Sequence, residues 1–105
     1  MNHDDKAVIE QQVREALKQV IDPEVGINIV DLGLISQIDV GINSVTVAMT
    51  MTTPTCPLGE ILTDQALEAL QVSLAAGTEI EIGLTYDPPW TPERMSEAAR
   101  KQLGR

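Results

Sequence analysis

One stretch gathers most of the groups that could do chemistry. It is TMTTPTCPLGEI, residues 50 to 61, where the single cysteine, Cys56, follows Thr50, Thr52, Thr53 and Thr55 and directly precedes Pro57. Proline is favoured at the first helical position, where its missing N–H costs nothing, so Pro57 marks a helix start and puts Cys56 or Thr55 at the N-cap. Amide N–H groups point outward there and the helix dipole favours negative charge, which pulls a thiol below its free pKa of about 8.5. The threonine hydroxyls are donors for sulfur or for a bound anion. A thiolate so placed is a metal ligand or a nucleophile. A half-buried cysteine filling a corner of the core is the competing structural reading, and local sequence leaves both open.

Two further groups carry polar or interfacial chemistry. Asp22 and Glu24 flank Pro23, and Asp31 follows shortly after. An Asp-Pro step is also an ordinary helix stop, and Asp31 also suits a turn cap, so these carboxylates join a site only if the fold brings them to Cys56. The segment YDPPWTPERMS, residues 86 to 96, sets the only Tyr and the only Trp beside three prolines. That rigid loop presents Trp90 either as a binding hot spot or as packing over the end of a sheet. His3 lies in a polar tail and is given no role. There is no Cys-x-x-Cys, no HExxH, no GxGxxG and no Walker lysine motif, so a self-contained zinc site and a phosphate cradle are not expected.

The elements that must position these groups follow from periodicity. Ile9, Val13, Leu17 and Val20 form one stripe of a helix over residues 6 to 20, which Asp4 or Asp5 caps and which ends before Asp22. Residues 21 to 34 read as a loop. A strand spans 34 to 40 with imperfect alternation, a short turn covers 41 to 43, and SVTVAMTMT alternates cleanly from Ser44 to Thr52. In that second strand Val45, Val47, Met49 and Met51 face one way and Thr46, Ala48, Thr50 and Thr52 the other. A helix over 58 to 73 buries Leu58, Leu62, Ala66, Ala69 and Leu70. A third strand over 79 to 86 turns Ile80, Ile82, Leu84 and Tyr86 inward. Thr91-Pro92-Glu93-Arg94 opens a last helix.

The predicted architecture is a two-layer α/β (α+β) sandwich in α-β-β-α-β-α order, with a small mixed three-stranded sheet. The helix between the second and third strands is long enough to cross over and make them parallel. Residues 1–6 are expected to be a flexible N-terminal tail and residues 7–105 a single domain.

Composition limits function. The 105 residues suffice for one domain, and with 43% hydrophobic residues but no Phe the core must be aliphatic. Seven Lys/Arg against sixteen Asp/Glu give a formal net charge of -9, which repels nucleic-acid backbones. One cysteine forms no internal disulfide, which suits a reducing compartment. No signal-like stretch or membrane span is seen, and a cytoplasmic protein is expected.

Four motifs together resemble the MIP18 family of metal–sulfur cluster biosynthetic proteins, also described as domain of unknown function 59. They are IDPE at 21 to 24, VDLGLI at 30 to 35, VTVAMTMTTPTCPL at 45 to 58 and DPPWTPERMS at 87 to 96. The likeness runs from the first helix to the last. It implies a fold like the C-terminal scaffold domain of NifU-type proteins, and a role in iron–sulfur cluster assembly, transfer or target maturation. By similarity, Cys56 matches the family's functional cysteine, Asp22 and Glu24 match an acidic loop that looks like its neighbour, and Asp31 matches the turn into the first strand. Thr50, Thr52 and Thr53 match the polar run before the cysteine. The resemblance leaves open whether such members carry a cluster themselves. Cys56 is the candidate metal ligand, with Asp22, Glu24, Asp31, Thr50, Thr52, Thr53 and Thr55 as its supporting polar set. Trp90, Pro92, Met95 and Ser96 match the C-terminal motif, read as partner-binding. The bare domain, without a cysteine-rich tail, points to the general SufT-like branch.

One thiolate cannot hold a cluster alone. A transient iron–sulfur cluster or iron would need a second chain or a partner to complete its ligands. The expected partners are apo iron–sulfur proteins and the assembly machinery, with monomer and homodimer both open. The leading reading is a carrier or maturation factor acting through Cys56. The alternative is a protein–protein adaptor that binds no metal. A thiol enzyme ranks below both, since no general base is evident unless Asp22 or Glu24 lies close.

Overall fold

The computed structural model describes residues 3–51, 58–86 and 89–104. The first helix, α1 (His3–Leu17), starts within the segment assigned to the tail and stops earlier than its apolar stripe suggests. Gln19 and Val20 donate to the carbonyls of Ala16 and Leu17, tighter i→i−3 bonds that close the helix while still burying Val20.

The segment read as a loop holds a two-residue ladder, β1 (Ile21–Asp22) antiparallel to β2 (Ile27–Asn28). A single helical turn follows. Gly33 N–H bonds to Val30 O and Leu34 N–H to Ile29 O, the paired bonds of a Schellman closure. That closure needs a left-handed residue, and Gly33 supplies it at φ 83°. Ile29 and Leu34, the two residues this motif brings into apolar contact, are both fully buried.

The main sheet has the order β3 (Ile35–Gly41), β4 (Ser44–Met49), β5 (Glu79–Leu84). β3 and β4 form the expected hairpin, and β4 and β5 are parallel as the crossover requires. α2 (Leu58–Ser73) makes that crossover. The imperfect alternation of β3 has a cause. Its register shifts between Ile35 and Gln37, so Ile35 opposes Met49 while Ile38 opposes Val47, and Ser36 is the extra residue of a bulge.

Both helices cover one face of the sheet and touch each other, α1 against β3 and α2 against β5. Val13 and Leu17 of α1, Val45, Val47 and Met49 of β4, and Leu62, Ala66 and Leu70 of α2 are all buried in this layer. Each such aliphatic side chain contributes about 1.5–3 kcal/mol by leaving water.

Three expectations need correction. Leu84 and Tyr86 are 37% and 41% exposed rather than inward. β5 is an edge strand that ends at Leu84, and Leu84 meets Gly59, which has no side chain to cover it. Thr50 is fully buried rather than on the open face, because β4 has ended and the Thr50 N–H crosses to Leu34 O at 2.8 Å. The last helix does not start at Thr91. Residues Pro92–Arg94 make one 3-10 turn, Met95 is extended and buried, and α3 (Glu97–Gln102) starts behind Ser96, whose Oγ accepts from Ala99 N–H at 3.1 Å.

Candidate functional site

The turn at residues 28–34 is where distant motifs meet. Asn28 builds it by a reciprocal pair: its Oδ1 accepts the Asp31 N–H at 2.9 Å, and its Nδ2 donates to Asp31 Oδ2 at 2.8 Å. The carboxylate and main chain of Asp31 are thereby fixed. Asp31 O then accepts the Ser96 N–H at 2.8 Å, Leu32 O accepts Trp90 Nε1 at 2.8 Å, and Leu34 O accepts the Thr50 N–H. A Cβ on Gly33 would lie 2.7 Å from the carbonyl carbon of Arg94, so the DPPWTPERMS motif can dock only on a glycine.

These bonds place Asp31, Thr50, Trp90, Met95 and Ser96 at the end of the sheet where β3 begins and β4 stops. The chain leaves that end after Met51 and returns as α2, whose second residue, Gly59, packs toward Met51 and Leu84. Cys56, Thr52, Thr53 and Thr55 belong to the intervening sequence and lie outside the described residues. In open α/β sheets, ligands bind outside the carboxyl ends of strands.

The Asp22 loop is attached to the same end through β2. Asp22 is 4% exposed, its Oδ1 accepts the Glu24 N–H at 2.8 Å, and its carbonyl accepts the Gly26 N–H. Its partner strand ends in Asn28, which holds Asp31. Glu24 and Pro92 are exposed. Among the described residues no group of three His, Cys, Asp or Glu is placed to hold a metal ion.

Sequence reasoning missed Asn28, Ser36 and Arg94. Arg94 Nη2 donates to Ser36 Oγ at 3.1 Å, on the β3 bulge, while its Nη1 is buried without an acceptor. The Thr50 hydroxyl is likewise buried and unpaired. The Asn-x-x-Asp-x-Gly pattern was the available signal for Asn28. The most enclosed cleft, roughly 130 Å³, lies at the opposite end of the sheet, between the β3–β4 turn and the end of α2.

Among the described residues no helix is long and apolar enough to cross a membrane. Comparison with known proteins agrees with the motifs. The chain is 37% identical over 97 residues to the Fe-S protein maturation auxiliary factor YitW of Bacillus subtilis, covering 91% of this chain and 94% of that protein. It is 41% identical over 86 residues to the auxiliary factor SufT of Staphylococcus aureus, covering 81% and 97%. The crystal structure of a domain of unknown function, DUF59, from Bacillus anthracis superposes with a TM-score of 0.92 at 34% identity over 98% of both chains. A family model described as iron-sulfur cluster assembly protein matches residues 10–82. The chain therefore belongs to the iron-sulfur cluster assembly protein family, as the four-motif resemblance implied.

Proposed function

We propose that this protein is a maturation factor for iron–sulfur proteins that handles clusters as cargo through Cys56. The observation that carries the reading is the convergence of the family's separate motifs on the end of the sheet from which the Cys56 segment departs. Cys56, two positions ahead of α2 in the sequence, acts as a thiolate ligand for iron. Nearby hydroxyls and amides stabilise the anionic sulfurs, and a client thiolate displaces Cys56 by ligand exchange. The remaining ligands come from a second copy or from the client, so apo iron–sulfur proteins and the assembly machinery are its partners and the cytoplasm its compartment. Trp90 and Pro92 serve partner contact. Met95, which is buried, and Ser96, which binds Asp31 and caps α3, hold that segment in place instead of touching a partner as the motif suggested.

The name auxiliary factor, carried by both bacterial relatives, suits an adaptor as well as a carrier. Anaerobic iron and sulfide reconstitution of wild type and Cys56→Ser separates the two, with absorbance, metal stoichiometry and solution mass followed together. A chromophore that needs Cys56 is the expected result. Folded protein with no Cys56-dependent iron or sulfide uptake would sink the carrier reading and leave the adaptor.

A further inference from the structure

Charge is distributed unevenly along this chain. From Gln19 to Glu93 the sequence carries eleven of its sixteen acidic residues and no Lys, Arg or His. The ion pairs found among the described residues lie within α1 and its end (Arg14–Glu10, Lys18–Glu15) and within α3 (Lys101–Glu97). α2 has no such compensation: Glu60, Asp64 and Glu68 are exposed on it, with no basic residue in the helix.

The same surface is apolar where it should be polar. Val72 is 83% exposed and Ile61 50%. Together with Gln65 and Glu68 they fall at i, i+4, i+7 and i+11, one stripe along the outside of α2, and the two aliphatic ends lie about 16 Å apart at 1.5 Å per residue. Beside Val72 a groove of about 350 Å³ runs between α2 and the end of α1, with Val20 and Ala69 in its lining.

We infer that this face of α2 docks an amphipathic helix of a partner protein, one that carries Lys or Arg against Asp64 and Glu68 and aliphatic side chains against Ile61 and Val72. The charge argues for that occupant over a second copy of this chain, since pairing two α2 faces would oppose carboxylates without a cation between them. In helix-in-groove recognition the incoming helix supplies apolar anchors at i, i+3, i+4 and i+7, and here the groove beside Val72 is where they would sit. Steering by the unpaired acids reaches only a Debye length, so it raises the on-rate and falls with salt. The surface does not depend on thiol chemistry, and its partner contact is separate from the Trp90 motif.

The test titrates isotope-labelled protein with a synthetic helical peptide bearing Leu on one face and Lys on the other, and with its counterpart bearing Glu in place of Lys. Amide shifts should concentrate on α2 and the end of α1, and affinity should fall roughly tenfold between low and moderately high salt. Ile61→Ser or Val72→Ser should weaken binding several-fold. The combined Glu60→Gln, Asp64→Asn, Glu68→Gln variant should weaken it about tenfold and flatten its salt dependence. Asp39→Asn on the open sheet face, and Cys56→Ser, should change nothing. Asp39, Glu60, Ile61, Asp64, Glu68 and Val72 are all exposed, and circular dichroism confirms that each variant is folded. Absent binding, equal binding of the Glu peptide, shifts spread over Asp39, Glu79 and Glu81, or indifference to Ile61 and Val72 would each overturn the inference. So would a concentration-dependent dimer of the protein alone that Val72→Ser dissolves.

Discussion

Gly33→Ala tests whether the DPPWTPERMS motif is truly seated on the turn at residues 28–34. Two separate penalties apply. The backbone at φ 83° is left-handed, which a Cβ disfavours by about 1–2 kcal/mol. The new Cβ would also lie 2.7 Å from Arg94 C and 2.8 Å from Arg94 Cβ, distances that real contacts do not show. Arg94 carbonyl and carbon are backbone, so relief requires residues 92–96 to move as a unit. That motion breaks the Ser96–Asp31 and Trp90–Leu32 hydrogen bonds, at about 1 kcal/mol each. The total is about 3–4 kcal/mol, a large share of the roughly 5–15 kcal/mol available to a domain. At about 4–8 °C per kcal/mol for a chain near this size, Tm should drop by roughly 15–25 °C. Gly77→Ala is the control, because Gly77 has φ 88° but open space around its Cβ position, and it should lose only the backbone part, about 1–2 kcal/mol. Urea unfolding of the three proteins gives both differences. Emission of Trp90, the only tryptophan, reports locally and should shift to the red in Gly33→Ala alone. Equal losses at the two glycines, with Trp90 emission unchanged, would refute the seating of Arg94 on Gly33.

Thr50→Val replaces a fully buried hydroxyl that has no partner with a methyl of the same shape, so unfolding experiments should show a gain of up to about 1 kcal/mol, and a loss above that size would mean the hydroxyl is bonded. The Glu93 carboxyl is held below the usual glutamate value by its own backbone N–H, then by the Thr91 hydroxyl, with desolvation opposing and the charge of Arg100 adding least. A lowered folded pKa contributes stability above the unfolded value that is lost as pH falls through the folded one, so carboxyl NMR should find Glu93 titrating below the ordinary glutamate value, and Thr91→Val should raise it.

How much of this was legible depended on what built each part. The face of β4 was readable because Val45, Val47 and Met49 repeat with the period of a strand that has one buried side. β3 was readable only in outline, since a bulge at Ser36 breaks that period and lets both Ile35 and Ile38 serve the same layer. Residues 21 to 34 have no period at all. They are built from two capped turns, one held by Asp22 and ending at Gly26, the other held by Asn28 and ending at Gly33, so the signal sits in single polar residues and glycines. Thr91-Pro92 is a sound local start and does open the 3-10 turn Pro92–Arg94, but that turn does not run on into the last helix. The chain is pulled straight at Met95 by burial and by the Ser96–Asp31 bond, both tertiary. The motif resemblance reached the family, but the pairing of Trp90 with Leu32 spans 58 positions, and no local pattern encodes it.

The turn at 28–34 also gives a physical reason for motifs so far apart in sequence to occur as a set. Three of its carbonyls, those of Asp31, Leu32 and Leu34, accept from Ser96, Trp90 and Thr50. A Schellman turn has few ways to deform, because its left-handed glycine and its paired bonds fix the orientation of each carbonyl. The Trp90 side chain and the Thr50 N–H are thus linked through Leu32 and Leu34, two hydrogen bonds joined by three residues of one rigid turn. Thr50 is the point at which the chain leaves β4 for the sequence that carries Cys56. Under the proposed function, partner contact at one motif and thiol chemistry at another would share a single structural element, and a glycine at position 33 is the condition for that element to close.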